Sequence, residues 1–237
     1  SNFANRTIIV KMEKTKKLVI VGSGETGLIA YEYFQFDSDY EVVAFSANEH
    51  YITETTINDL PVVPFERLEE KYNPNEYEVY VAISSGKLNR NRTKVYNEAK
   101  IKGYKCASYV SSKAFVWRNV EIGENCFIFE DNTLQPFVKI GNNVTLWSGN
   151  HIGHNTIIKD NCFISSHCVI SGFCEVGENS FLGVNCTIEN NVKIAKDNFI
   201  GAGSLIQKDT IEKGLYQTNQ TELSKVNTHR LFRIKEN

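Results

Sequence analysis

Proline is scarce in this chain, 4 among 237 residues, and the only methionine is Met12. Glycine, at 15, falls far short of every third position. These shortages exclude proline-rich, low-complexity and collagen-like chains. Neither sign of charge dominates, with 26 Lys and Arg against 28 Asp and Glu, so no global basic surface for nucleic acid is expected. No CxxC occurs among the six cysteines, which removes the spacing most typical of zinc and dithiol redox centres. No apolar run reaches the length of a membrane span and no secretory leader pattern is visible, so the protein is expected to be soluble and cytoplasmic. What remains is 41% apolar and 23% charged, a globular composition long enough for one large or two modest domains. Residues 1–16 precede the first strand-like run and are expected to be a leader or an expression remnant.

A six-residue period runs through the second half. From Val116 an aliphatic residue recurs at every sixth position through Ile122, Ile128, Leu134 and onward to Ile200 and Ile206, sixteen positions without a miss. Two residues before each lies a second lattice, mostly small or β-branched, which includes Val120, Cys126, Val138, Thr156, Cys162, Ser180 and Val192. Two positions apart is strand periodicity. Asn, Asp and Gly gather between, as in Gly141-Asn142-Asn143 and Lys159-Asp160-Asn161, where tight turns are required. A short strand and a turn every six residues, three to a coil, predict a triangular parallel β-helix with the aliphatics inside. Five of the six cysteines (126, 162, 168, 174 and 186) fall on the small-residue lattice and are expected to be buried, reduced and unreactive. The pattern resembles the hexapeptide-repeat acyltransferases, which implies a left-handed β-helix.

The first half reads differently. Lys17-Leu18-Val19-Ile20-Val21 is a buried strand, followed by Gly22-Ser23-Gly24-Glu25-Thr26-Gly27 and an apolar helix to Phe36. Strand, glycine turn and helix form a phosphate-binding context, because glycines admit close approach and the helix N-terminus favours an anion. Further strands are expected at Glu41–Phe45 and Glu78–Ile83, then a basic helix bearing Arg90 and Arg92. This predicts a small parallel α/β unit over residues 17–110, a β-helix over 111–215 and a tail over 216–237. A dinucleotide-dependent oxidoreductase would need an acidic residue ending the second strand, and Phe45-Ser46-Ala47-Asn48 supplies none. A nucleotide diphosphate suits the turn better.

A truncated Rossmann-like unit followed by a left-handed β-helix resembles the PglD/NeuD-type sugar acetyltransferases over about residues 17–215. That resemblance implies a homotrimer in which the N-terminal domain holds a nucleotide-linked sugar and the β-helix holds acetyl-CoA, in bacterial surface-glycan synthesis, without a metal. Acyl transfer needs a base, an oxyanion donor and a coenzyme groove. Three of the five histidines, His151, His154 and His167, fall within a short stretch. Ile152-Gly153-His154 matches the family's base motif and implies His154 as general base. Asn155 stands where the family places an acidic orienting residue, and Phe163 where it places a second histidine, whose part His167 is a candidate to take. Matching by phase implies Gly172, Val184 and Ala202 for acetyl-CoA, and Gly22, Ser23, Gly24 and Thr26 for the nucleotide sugar. Arg90 and Arg92 are candidates for the diphosphate, or a solvated helix face. The paired aspartates that read a uracil base are absent, their places taken by Ser46 and Ala47.

Other readings stay open. O-acetylation of a sialic-acid-like sugar or glycan hydroxyl would use the same machinery, and a non-catalytic sugar- or nucleotide-binding scaffold would not need His154. A β-helix carbonic anhydrase would need three histidines on zinc, and the HxxH spacing here does not fit that arrangement.

Overall fold

The computed structural model describes residues 12–235; the proposed leader lies largely outside the described residues. Its last residue, Lys16, already belongs to the first strand.

The N-terminal unit is a five-stranded mixed sheet. Its elements are β1 (Lys16–Val21), α1 (Glu25–Phe36), β2 (Tyr40–Ala47), β3 (Thr56–Ile57), β4 (Leu60–Pro64), α2 (Leu68–Lys71), β5 (Glu78–Val81) and α3 (Arg90–Ile101). Strand order is β3-β4-β2-β1-β5, with β4, β2, β1 and β5 parallel. The expectation of a purely parallel sheet is therefore corrected: β3 runs antiparallel to β4. Asn58 and Asp59 join them in left-handed conformations, the two-residue hairpin turn that these residue types favour. This hairpin was too short and too weakly alternating to read from sequence. The chain reverses direction of strand addition between β2 and β5, on either side of β1, so the loops after β1 and β5 open a crevice at the switch point.

From Tyr109 onward the six-residue period becomes three stacked parallel sheets, as in a left-handed β-helix. We call them faces one, two and three. Face one carries Thr133–Leu134, His151–Ile152, Val169–Ile170 and their equivalents; face two carries Lys139–Ile140, Ile157–Ile158 and Glu175–Val176; face three carries Phe127–Ile128, Thr145–Leu146, Phe163–Ile164 and Phe181–Leu182. Residues pair with those eighteen positions away, one full coil. The aliphatic series forms the core: Ile128 through Ile206 are buried, and Val116 and Ile122 at the open end are partly so.

Two polar devices hold the coils. At the third position after each interior aliphatic, from Asn125 to Gly203, the backbone is left-handed, which turns the chain from one face to the next. On the small-residue lattice, Cys126, Cys162, Cys168 and Cys174 donate their thiols to carbonyls of the following coil at 3.0–3.2 Å, and Thr156 and Ser180 donate hydroxyls to the same kind of site. All six cysteines are free and buried.

The N-terminal unit lies against face three. Phe34 and Tyr80 share a core with Phe127 and Phe129. Along the edge between faces two and three, Asn125 bonds the Val81 backbone, Asn89 donates to the Asn179 and Ser180 carbonyls, and Lys100 pairs with Glu124. Among the described residues no helix is long and apolar enough to cross a membrane.

Candidate active site

His154 stands on the edge between faces one and two, two residues after the interior Ile152 and exposed to solvent. Its backbone N–H donates to Gln135 Oε1 at 2.9 Å. Its Nδ1 lies 3.1 Å from Oδ1 of Asn155. With the proton on Nδ1 donated to that amide oxygen, Nε2 keeps its lone pair outward, the form a general base needs. Asn155 occupies this place for a backbone reason as well: at φ 60° it is one of the left-handed turn residues.

Gly172, one coil on, lies beneath the imidazole. A Cβ there would meet Nε2 at 2.9 Å and Cε1 at 3.0 Å, so the missing side chain leaves the ring room to lie here. The Gly172 N–H meets no acceptor among the described residues. Phe173 follows, its ring perpendicular to the imidazole with centroids 4.9 Å apart.

The other coenzyme candidates lie elsewhere. Val184, Ala202 and His167 lie on the edge between faces three and one, so within one chain the width of face one separates them from His154 and Gly172. Val184 and Ala202 form a column with Ser148 and Ser166, eighteen residues apart: Val184 is exposed and Ala202 small, next to Gly201 and Gly203. His167 is exposed, left-handed at φ 59°, and lies over Gly149, whose Cβ would approach the ring to 2.6 Å. His151 points outward from face one.

In the N-terminal unit the three glycines of the turn separate by cause. A Cβ on Gly22 (φ 137°) would meet the Ala82 carbonyl oxygen at 2.3 Å, and one on Gly27 would meet the Gly22 carbonyl oxygen at 2.0 Å. Strand and helix packing therefore account for both. Gly24 has nothing within 4 Å of where its Cβ would be. It is the residue before α1, and no side chain caps that helix. Gly24 and Ser23 thus border free helix N–H groups that face open space, the setting that suits a phosphate.

Thr26 leads from this turn into a cleft between α1, the loop after β5 and face three, floored by Phe127, Phe129, Trp147 and Phe163, with Ser84 at its side. Trp147 stacks on Phe129 at 4.2 Å. Phe163 stacks in turn on Phe181, and Phe181 on Phe199. Ser46, at the end of β2, is buried with its hydroxyl unpaired, and its carbonyl accepts from the Gly22 N–H.

The arginines divide. Arg92 is 1% exposed, which corrects both readings of it as a surface group. Its Nε donates to Asn143 Oδ1, and its Nη2 to the carbonyls of Asn143, Asn161 and Cys162 at 3.2–3.4 Å. Burial without a carboxylate lowers its pKa to about 10. Arg90, half exposed, pairs with Asp197 at 2.5 Å. Both tie α3 to the β-helix. Sequence reading missed the burial of Arg92 because alternate charges on a helix say nothing of which face meets a second domain.

The glycine turn and His154 do not meet within one chain. The N-terminal unit covers face three, and in a triangular prism the edge between faces one and two is the one opposite.

Residues 137–172 and 173–208 each match the bacterial transferase hexapeptide (six repeats) family. No curated protein matches the sequence. Among solved structures, the acetyltransferase domain of PglB from Neisseria gonorrhoeae superposes with a TM-score of 0.71 at 22% identity, over 82% of this chain and 93% of that one. A histidine-to-asparagine mutant of perosamine N-acetyltransferase from Caulobacter crescentus, in complex with CoA and GDP-perosamine, gives 0.74 at 22% identity, over 84% and 92%. The PglB domain in complex with acetyl coenzyme A gives 0.64 at 20%, over 84% and 94%. The likeness to these structures thus covers the fold of more than four-fifths of the chain.

Proposed function

We propose that this protein is an acetyl-CoA-dependent sugar N-acetyltransferase, acting on a nucleotide-linked amino sugar of bacterial surface-glycan synthesis, with His154 as general base. The observation that carries the reading is the exposed imidazole of His154, held at Nδ1 by Asn155 and seated over the bare backbone of Gly172. Both solved proteins that share this fold are seen in complex with CoA or acetyl-CoA, and the perosamine enzyme with a nucleotide sugar as well.

In this mechanism the acceptor amine attacks the thioester carbonyl while Nε2 of His154 takes its proton. The free N–H of Gly172 donates to the developing oxyanion. The carbon–sulfur bond then breaks, and the coenzyme A thiolate leaves with the proton that Nε2 held. Val184, Ala202 and His167 line the coenzyme groove, while Gly22, Ser23, Gly24 and Thr26 hold the nucleotide end of the sugar. Gly22 shapes this turn, and Gly24 meets the phosphates. Arg90 reaches the diphosphate only by leaving Asp197. Because the N-terminal unit and His154 occupy opposite sides of the prism, the site is completed by a second copy, and a cyclic trimer closes that arrangement.

Free-thiol release from acetyl-CoA, with UDP-, dTDP- and GDP-linked 4-amino sugars and sialic acids as acceptors, tests the reading. Turnover with an amino sugar, abolished in His154→Ala, is the expected result. Turnover only with a hydroxyl acceptor would move the protein to O-acetylation. No turnover and no coenzyme A binding would sink the proposal.

A further inference from the structure

The left-handed turn position of the β-helix obeys a simple rule. From position 125 to position 203 it is filled by Asn, Asp or Gly at every sixth residue except Phe137, His167 and Phe173. Asn, Asp and Gly accept this conformation readily, and His does so more often than most residues, whereas a bulky aromatic pays roughly 1–2 kcal/mol for it. Within one copy burial does not recover that cost, since Phe137 and Phe173 are 58% and 56% exposed there. Departures from local turn chemistry without a packing return point to function. Both lie on the edge that carries His154, and they differ in one respect. Phe173 meets the imidazole edge to face at 4.9 Å, and its backbone N–H makes the bond to the preceding coil that the other turns make, here to the His154 carbonyl at 2.9 Å. The Phe137 N–H is instead engaged by Asn119 Oδ1, and its ring has no aromatic partner among the described residues.

We infer that Phe173 is a positioning residue for His154. Its ring closes the side of the imidazole that Asn155 and Gly172 leave open. Asn155 fixes Nδ1, Gly172 leaves the space beneath, and Phe173 prevents the ring from swinging about its Cα–Cβ bond. The strain in the Phe173 turn is the cost of holding the base. This inference rests on the assignment of His154 as general base.

Three variants of the full chain test it. Phe173→Asn restores the usual turn residue and removes the ring; Phe173→Tyr keeps the ring; Phe137→Asn relieves the same strain without touching the imidazole. With acetyl-CoA and the panel acceptor that turns over, Phe173→Asn should lower kcat at least about 10-fold with KM changed less than about 2-fold, because only alignment in the transition state is lost. Its Tm should hold or rise. Phe173→Tyr should retain kcat, and Phe137→Asn should do so with a similar gain in Tm. A Phe173→Asn enzyme with full kcat, or a Phe137→Asn enzyme that loses as much, overturns the inference. A second readout needs no acceptor: carbethoxylation of His154 by diethyl pyrocarbonate, followed by mass spectrometry. It should quicken severalfold in Phe173→Asn and stay unchanged in Phe137→Asn, and equal rates in all three proteins would overturn the inference. Full turnover in His154→Ala would instead remove the general-base assignment itself, a failure distinct from either result.

Discussion

His154 owes its chemistry to small neighbours. Asn155 holds one ring nitrogen and Gly172 frees the space for the other. Replacing His154 with Ala should reduce kcat by at least about 100-fold, the usual contribution of a positioned general base. Asn155→Asp keeps a residue that tolerates the left-handed turn and adds a charge that stabilises the imidazolium, so kcat should rise by roughly 3- to 10-fold. Steady-state thiol release measures both. A fall in Asn155→Asp would show that the amide, not a carboxylate, is what this site needs. The edge position of His154 was legible in sequence, since a residue two places after an interior aliphatic must lie on an edge, whereas its proposed role as base comes from the family resemblance of Ile152-Gly153-His154. The ring contact of Phe173 was not legible, because the hexapeptide period does not report which turn residues are strained.

The coils and the interdomain seam are the elements on which stability rests. Leu146→Ala removes a fully buried side chain from the prism and should cost about 2–5 kcal/mol in urea unfolding. Arg92 caps carbonyls of two successive turns, and its removal takes the donor from the Asn143 and Asn161 carbonyls while that of Cys162 still accepts from the Thr145 N–H; Arg92→Ala should cost about 2–4 kcal/mol, with the seam between α3 and the β-helix opening first in hydrogen exchange. The thiols set a pH dependence. Burial raises Cys106 and Cys162 to about 12 and Cys126 to about 11 from an ordinary value near 9. A group whose folded pKa is raised contributes its full stability below the unfolded value and loses it above. Tm should therefore be flat to about pH 9 and fall steadily toward pH 11–12, with thiols unreactive to Ellman's reagent until unfolding begins. Thiols reactive in the native protein at pH 8 would contradict this. The cysteine lattice was visible in the sequence, and so was burial; the donation of each thiol to the next coil's carbonyl was not, because it depends on coil stacking. The β3–β4 hairpin escaped for a different reason: its strands are too short to establish a period.

At the scale of the whole molecule, the two halves were legible as two kinds of periodicity, but their mutual placement was not. The family resemblance implied Gly172, Val184 and Ala202 as coenzyme contacts, and within one chain these lie on two edges of the prism. Nothing in a one-dimensional pattern says which face the N-terminal unit covers; that choice is made by Phe127, Phe129 and Arg92. It leaves the glycine turn and His154 on opposite sides, so the proposed reaction requires more than one copy. Gly24→Asp should leave Tm unchanged, since no atom lies within 4 Å of its Cβ position. The new carboxylate should repel phosphate at the helix N-terminus and raise the KM for a nucleotide sugar at least about 10-fold.

Subunit complementation tests the shared site most directly. His154→Ala and Gly24→Asp are co-expressed, and the mixed assembly is assayed at an acceptor concentration where each alone is inactive. If the base comes from one copy and the nucleotide turn from its neighbour, random mixing restores about a quarter of the wild-type rate, because one site in four pairs an intact His154 with an intact turn. Mixed assemblies as inactive as their parents would contradict a site built between copies.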